Sequence, residues 1–328
     1  MHGYQADLDP TIKGMTGGLY DEREEGSLAQ AVPEIDAALK KDDWNTYEIS
    51  AIGDHIQLFI NGIRSADVRH GRTKKGIIAL QVHSGSQPVK VRWRNIRIQD
   101  LGDGGGWQPL CDGKTLKGWH VQGEPNAWRV EDGAIVGELT KESPYAYLAT
   151  DETFSNFELK LKMRYESDSG NSGIFFLCKF PPQCAKCGEV ARDLPADVKD
   201  FKCPKCGHDK SLPMRERVHI HGPQAEFAPQ NTGGLYCAGC GGWINEDALD
   251  ANKQKMHHLG EWNDFRLIAV GDQARVYLNG YLISDVKDYP FPESGIIALQ
   301  LHAGGPMKVR FKDIQIRPTK KKRSEPPQ

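Results

Sequence analysis

The chain has 328 residues, 38% of them hydrophobic and 26% charged, with a formal net charge of −2. That balance excludes a globally basic nucleic-acid or membrane-surface binder, and no apolar run of about 18 residues exists to form a transmembrane helix. With 35 glycines and 19 prolines, the composition favours many short strands joined by turns, and the length suits about two domains.

The start, Met1-His2-Gly3-Tyr4-Gln5, carries no signal-peptide pattern. His2 to Asp7 and Thr16-Gly17-Gly18-Leu19-Tyr20 lead to one expected helix, Ala29 to Lys41. Trp44-Asn45 then opens an apolar strand around Tyr47-Glu48-Ile49, and Trp44 reads as core. Asn61-Gly62 after Leu58-Phe59-Ile60 is a hairpin signal, because a type I′ turn needs positive φ at both central residues. Two more strands are expected, Gly76 to His83 and Val91 to Ile98, before a linker at 101–106.

From Trp107 the chain continues with material that has no counterpart upstream. Trp128-Arg129-Val130-Glu131-Asp132-Gly133-Ala134-Ile135 reads as a hairpin turning on Asp-Gly. Phe157 to Met163 alternates with period 2, the pattern of a half-buried strand. Asn171-Ser172-Gly173-Ile174-Phe175-Phe176 leads into an apolar strand.

The pattern of residues 1–100 then returns. His221-Gly222-Pro223-Gln224-Ala225-Glu226 matches His2 to Asp7, and Thr232-Gly233-Gly234-Leu235-Tyr236 matches Thr16 to Tyr20. Asn245 to Met256 stands where the first copy has its helix. Trp262-Asn263, Asn279-Gly280, Gly295 to His302 and Val309 to Ile316 repeat Trp44-Asn45, Asn61-Gly62, Gly76 to His83 and Val91 to Ile98 in order and spacing. The offset between Trp44 and Trp262 is 218 residues, too long for a solenoid, so the repeat reads as tandem domains. Residues 1–100 hold only the later half of a module, as expected of a fragment of a longer protein or a gene model begun at an internal methionine. Residues 107–317 hold a fuller copy, and 318–328 read as a basic, disordered tail. The expected fold is all-β: two tandem jelly-roll or β-sandwich domains, the first truncated.

Cysteines interrupt the second copy. Cys184-Ala185-Lys186-Cys187 and Cys203-Pro204-Lys205-Cys206 form C-x2-C-x15-C-x2-C, the spacing of a four-thiolate zinc ribbon. Four thiolates close a tetrahedral shell, so this metal is expected to be structural and to fold the insertion at about 181–214. Two disulfides or free thiols are the plain alternative. Cys237-Ala238-Gly239-Cys240 is a third pair, open to a disulfide, a redox pair or a partial metal site. Cys111 and Cys178 read as buried fillers.

In combination these motifs resemble the 3-keto-disaccharide hydrolase domain family, long catalogued as a domain of unknown function. Leu110-Cys111-Asp112-Gly113-Lys114-Thr115-Leu116-Lys117-Gly118-Trp119 is similar to its "F-N-G-K-D-L-x-G-W" opening, and Asn171 to Phe176 to its "N-S-G-I-x-x-R" strand. His221 to Glu226, Thr232 to Tyr236 and Gly295 to His302 resemble its "G-Y-Q-A-D-I", "G-x-L-Y" and "G-x-I-x-L-Q-x-H" elements. The resemblance covers nearly all of 107–317 and the later half in 1–100. It implies a concanavalin A-like jelly roll of two sheets, in bacterial proteins that are usually exported. Two departures stand out: Leu177 occupies the family's strand-arginine position, with the nearest cation displaced to Lys179, and the cysteine insertion follows directly.

The resemblance also implies a reaction. A ketone at C3 of a glycoside acidifies the C2 proton; a base removes it, the C1 oxygen leaves, and water adds. This differs from hydrolysis by two flanking carboxylates. It needs a base at C2–H and a donor or metal at the developing enolate oxygen. Glu226 is the expected base or metal ligand. His219 and His221, two apart on an expected strand, would share a face and offer imidazoles to a divalent metal or to substrate, His221 being a catalytic candidate. Asn171, Gln224, Tyr236, Trp243 and His302 are the expected carbohydrate-binding residues, with the aromatics stacking on a sugar face.

Plain readings stand beside these. Asn-Ser-Gly before a strand is often only a turn, a His ending a strand is often structural, and alternate histidines often face solvent. Trp44 and Trp262 read as core. Three functions compete: an enzyme cleaving 3-keto-glycosides, a non-catalytic carbohydrate-binding module, and a structural or adhesion domain using its zinc insertion for protein contacts. The enzyme is the favoured reading.

Overall fold

The computed structural model describes residues 3–9, 11–22, 25–52, 54–71, 76–82, 90–98, 106–167, 169–228, 231–245 and 256–319. Residues 101–105 of the expected linker at 101–106, His83, residues 246–255 of the expected Asn245 to Met256 element, and residues 320–328 of the expected tail lie outside them. The backbone divides into two units, Met1–Gln99 and Asp100–Gln328.

The first unit contains two three-stranded antiparallel sheets. One is β1 (Gly3–Ala6), β2 (Leu19–Glu22) and β3 (Gly26–Ala29); the other is β4 (Tyr47–Ile52), β5 (His55–Ile60) and β6 (Ile63–Arg69). Leu19 of the first packs with Ile56, Leu58 and Ala66 of the second. The expected helix is a single turn and a half, α1 (Glu34–Ala38), shorter than Ala29 to Lys41 because Pro33 sits at its start and Leu39 is already extended.

The second unit is a sandwich. Its eight-stranded sheet runs β19 (Tyr281–Val286), β18 (Gln273–Leu278), β17 (Asn263–Val270), β12 (Phe157–Tyr165), β21 (Met307–Pro318), β10 (Ala134–Leu139), β9 (Trp128–Glu131), with β7 (Gln108–Pro109) also on β21. Its seven-stranded sheet runs β16 (Gly242–Asn245), β15 (Leu235–Ala238), β14 (Gly222–Phe227), β13 (Ser172–Cys178), β20 (Ile296–Leu301), β11 (Ala146–Thr150), β8 (Trp119–Gly123). Leu148, Ala225 and Leu299 of this sheet share one buried cluster with Leu159, Leu267 and Val309 of the other. Each of these leucines, and Val309, contributes about 1.5–3 kcal/mol when fully buried.

The repeat is visible strand by strand. β1-β2-β3 repeats β14-β15-β16, including the register shift between Leu19/Tyr20 and between Leu235/Tyr236. β4-β5-β6 repeats β17-β18-β19. Asn61 and Asn279 turn their hairpins at φ 51° and 50°. Each also receives a backbone N–H, from Thr46 or Asp264, and donates to Asn45 or Asn263. This explains the repeated Trp-Asn differently from the expectation. The asparagine is the more buried member, Asn263 at 0% exposure and Asn45 half-buried. Trp44 is 37% exposed under the Arg94 guanidinium, and Trp262 is half-buried under Arg164 and Lys312. Neither tryptophan is core.

The first unit reproduces only the outer edge of each sheet. The two later strands expected there, Gly76 to His83 and Val91 to Ile98, are not strands over their described residues; Ile77 is 85% exposed. The reason is pairing. Their counterparts β20 and β21 are interior strands, held by β13 and β11 and by β12 and β10. All four holders come from the stretch that residues 1–75 do not duplicate, and an apolar strand without neighbours leaves its backbone groups to water.

Candidate active site

The outer face of the seven-stranded sheet carries the site. Period-2 alternation sends Ile174, Ala225, Leu299 and Leu148 into the sandwich and the residues beside them outward. Register then aligns those outward residues in rows. One row runs Glu226, Gly173, Gln300, Tyr147 across β14, β13, β20 and β11. The next runs Trp243, Tyr236, Gln224, Phe175 across β16, β15, β14 and β13. The two rows floor a cavity of about 380 Å³, which Asn171 and His302 also line.

Glu226 is only 6% exposed. Burial disfavours its charged form, and the 2.8 Å hydrogen bond from the Asn171 side-chain amide favours it; burial wins, raising the pKa to about 7. Gln224 donates to Gln300 Oε1 at 2.9 Å. Its amide lies across Gly173, where a Cβ would fall 1.9 Å from Nε2. The glycine of Asn-Ser-Gly therefore makes room for the glutamine above it and is more than a turn residue. Ser172 donates to the Gln300 carbonyl at 2.6 Å, tying β13 to β20.

His302 places its Nδ1 2.9 Å from the Ala303 carbonyl and its Nε2 3.0 Å from the Tyr145 hydroxyl. A carbonyl only accepts, so Nδ1 carries the proton and Nε2 accepts from Tyr145. The Tyr145 pKa is raised, by burial first and then by Tyr236 and Glu226. Tyr236 and Trp243 meet edge to face, with centroids 5.5 Å apart.

The sequence model of the 3-keto-alpha-glucoside-1,2-lyase-like domain matches residues 1–99 and 106–317. The chain belongs to this family. Three solved structures are among those similar to this chain. A Bacillus subtilis protein of unknown function with a galectin-like fold is 14% identical, covering 69% of this chain and 100% of its own, with a TM-score of 0.42. A Parabacteroides distasonis protein provisionally assigned as a glycosyl hydrolase is 19% identical, covering 66% and 94%, with a TM-score of 0.39. A carbohydrate binding module from Bacillus subtilis is 13% identical, covering 60% and 93%, also at 0.39. No curated protein matches.

Within this lyase-like domain, the cysteine insertion forms one wall of the cavity. Its two knuckles are alike: Gly188 and Gly207, at φ 73° and 71°, donate to the Cys184 and Cys203 carbonyls at 3.0 Å. The four sulfurs lie within 4.8 Å of one another, with Cys184 to Cys206 at 3.7 Å and Cys187 to Cys203 at 3.6 Å. A tetrahedral shell with metal–sulfur bonds of about 2.3 Å separates its sulfurs by roughly 3.8 Å, so the donor set fits one metal ion. Cys237 and Cys240 form a disulfide, Cys178 is buried and Cys111 is half-buried.

The two histidines part company. Residues 217–220 are not a strand, so His219 and His221 do not share a strand face. His219 lines the cavity and His221 does not. The buried His221 Nδ1 has no hydrogen-bond partner among the described residues, and burial with Lys179 and Arg192 nearby lowers its pKa.

Tyr145, Tyr147, Gln300 and Arg192 line the site without having been singled out from the sequence. Tyr145 and Tyr147 had a signal, aromatics two apart where an apolar strand begins. Arg192, inside the polar insertion, had none.

Proposed function

We propose that the second unit cleaves the glycosidic bond of 3-keto-glycosides, with Glu226 as the base. The observation that carries this reading is Glu226 itself: a buried carboxyl at the cavity floor whose pKa of about 7 suits proton abstraction near neutral pH. The carboxylate takes the C2 proton, activated by the C3 ketone. The C–H electron pair passes into the enolate and then forms the C1–C2 double bond as the C1–O bond breaks. The leaving oxygen takes up a proton, and water adds at C1, so the overall reaction is hydrolytic and redox-neutral.

Tyr236 supplies a cavity hydroxyl for the developing enolate oxygen, while the Tyr145 hydroxyl is held by His302. Gln224, Gln300 and Asn171 bind sugar hydroxyls, and Trp243 stacks on the ring. The metal of the four-cysteine site is proposed to be zinc, in a structural role.

The test is Glu226→Gln assayed on a panel of 3-keto-glycosides. A fall in kcat of about 10²–10⁴-fold with sugar affinity retained supports the base. Wild-type protein that binds these sugars and turns none over points to the alternative, a non-catalytic carbohydrate-binding module, which the Tyr236–Trp243 pair at the cavity edge would serve equally well.

A further inference from the structure

The insertion does more than hold a metal. A buried guanidinium pins its base: Arg217 donates to the carbonyls of Phe180, Ala196 and Leu212 and to the Ser211 hydroxyl. The cysteines hold its far end, where Ala191 packs with Cys184, Phe201 and Cys203. Between these anchors the backbone is also tied. Ala191 N–H donates to the Pro182 carbonyl at 2.9 Å, and Val190 bridges to Gln183. The residue after Ala191 is Arg192, which leaves the metal-held segment and lines the cavity.

Arg192 is exposed and forms no ion pair with any described residue. The other cation nearby, Lys179, is committed to the Leu194 carbonyl at 3.0 Å. Gly239 makes room for the guanidinium, since a Cβ there would lie 3.2 Å from Arg192 Nε and 3.0 Å from His221 Nδ1. An unpaired guanidinium fork on a tethered backbone, beside a polar sugar cavity, matches a planar or tetrahedral cluster of anionic oxygens.

We propose that Arg192 is a specificity-determining residue that selects a glycoside bearing an anionic group, a carboxylate or a sulfate, and that the four-cysteine metal site sets its position. This rests on the carbohydrate-cleaving reading of the same cavity and names its substrate class.

The experiment uses the full chain carrying Glu226→Gln, so that ligand is not consumed. Calorimetry compares the 3-keto derivatives of methyl glucuronide, methyl glucoside 6-sulfate and methyl glucoside. At least one anionic ligand is expected to bind 10-fold or more tightly than the neutral one, and its affinity to fall as salt rises from 50 to 500 mM. The two anionic arms tell carboxylate from sulfate. Adding Arg192→Gln should cost the preferred anionic ligand at least 10-fold and the neutral one less than threefold. Removing the metal through Cys206→Ser should erode the same preference. Equal affinity for all three sugars, or an anionic preference that survives Arg192→Gln, overturns this proposal while leaving the cleavage reading intact. Absence of binding in every arm overturns both.

Discussion

Asn171 donates its side-chain amide to Glu226 across 2.8 Å, though 55 positions separate the two in sequence. β13 and β14 bring them together, with Gly173 directly opposite Glu226. The bond opposes the burial that would otherwise hold the carboxyl protonated, so this pair sets the proton affinity of the proposed base.

Replacing Asn171 with Ala removes the interaction that favours the charged carboxylate. The pKa of Glu226 should rise above its value of about 7. The acidic limb of the pH profile of kcat/KM on a 3-keto-glycoside should move to higher pH, with the alkaline limb in place. An unmoved acidic limb would remove Glu226 as the group that titrates there.

Glu226 should also shape stability. Its folded-state pKa of about 7 exceeds the ordinary 4.5, so between those values the folded chain holds a proton that the unfolded chain has released. Stability therefore declines as pH rises through this window, and the cost is complete above it. At about 1.4 kcal/mol per pH unit the full effect is about 3 kcal/mol. Glu226→Gln should be more stable than wild type at pH 8 by up to that amount, with the gap closing as pH falls below the unfolded value of 4.5, as read from denaturant unfolding at each pH.

Gly173→Ala would place a methyl group 1.9 Å from Gln224 Nε2. The amide must swing away and release Gln300. A loss of about 1–3 kcal/mol in stability is expected, together with weakened sugar binding. Unfolding curves and calorimetry would report both. Unchanged sugar affinity would show that Gln224 does not contact the ligand.

The cysteine insertion should carry one metal ion per chain, measured by mass spectrometry as zinc, and lose it in Cys184→Ser. With little apolar surface of its own beyond the cluster around Phe201, the stretch 181–214 should depend on that ion for its fold. Chelation should expose this stretch to protease while the sandwich stays protected. Equal protease resistance with and without chelator would show that the insertion folds without metal.

The tandem repeat, the hairpins and the knuckles were legible from the sequence because they depend on neighbours in the chain. An Asn-Gly turn accepts positive φ, a Cys-x-x-Cys with a following glycine closes on itself, and alternation reports which face is buried. The candidates Asn171, Gln224, Glu226, Tyr236, Trp243 and His302 were also readable from motif order, and all six line one cavity.

Register and pairing across the sheet were decided only by tertiary structure. At Leu177 a bulge and a φ of 50° turn two successive side chains, Phe176 and Leu177, into the same core, against the alternation that would point one outward. His221 separates from His219 because the chain there pairs at one bridge and is not a strand. Arg192 lines the cavity beside Ala191, which packs against Cys184 and Cys203 from elsewhere in the insertion. Gly76 to Val82 has the composition of β20 and none of its structure, because a strand is stable only when other strands satisfy its backbone, and composition does not say whether those strands exist.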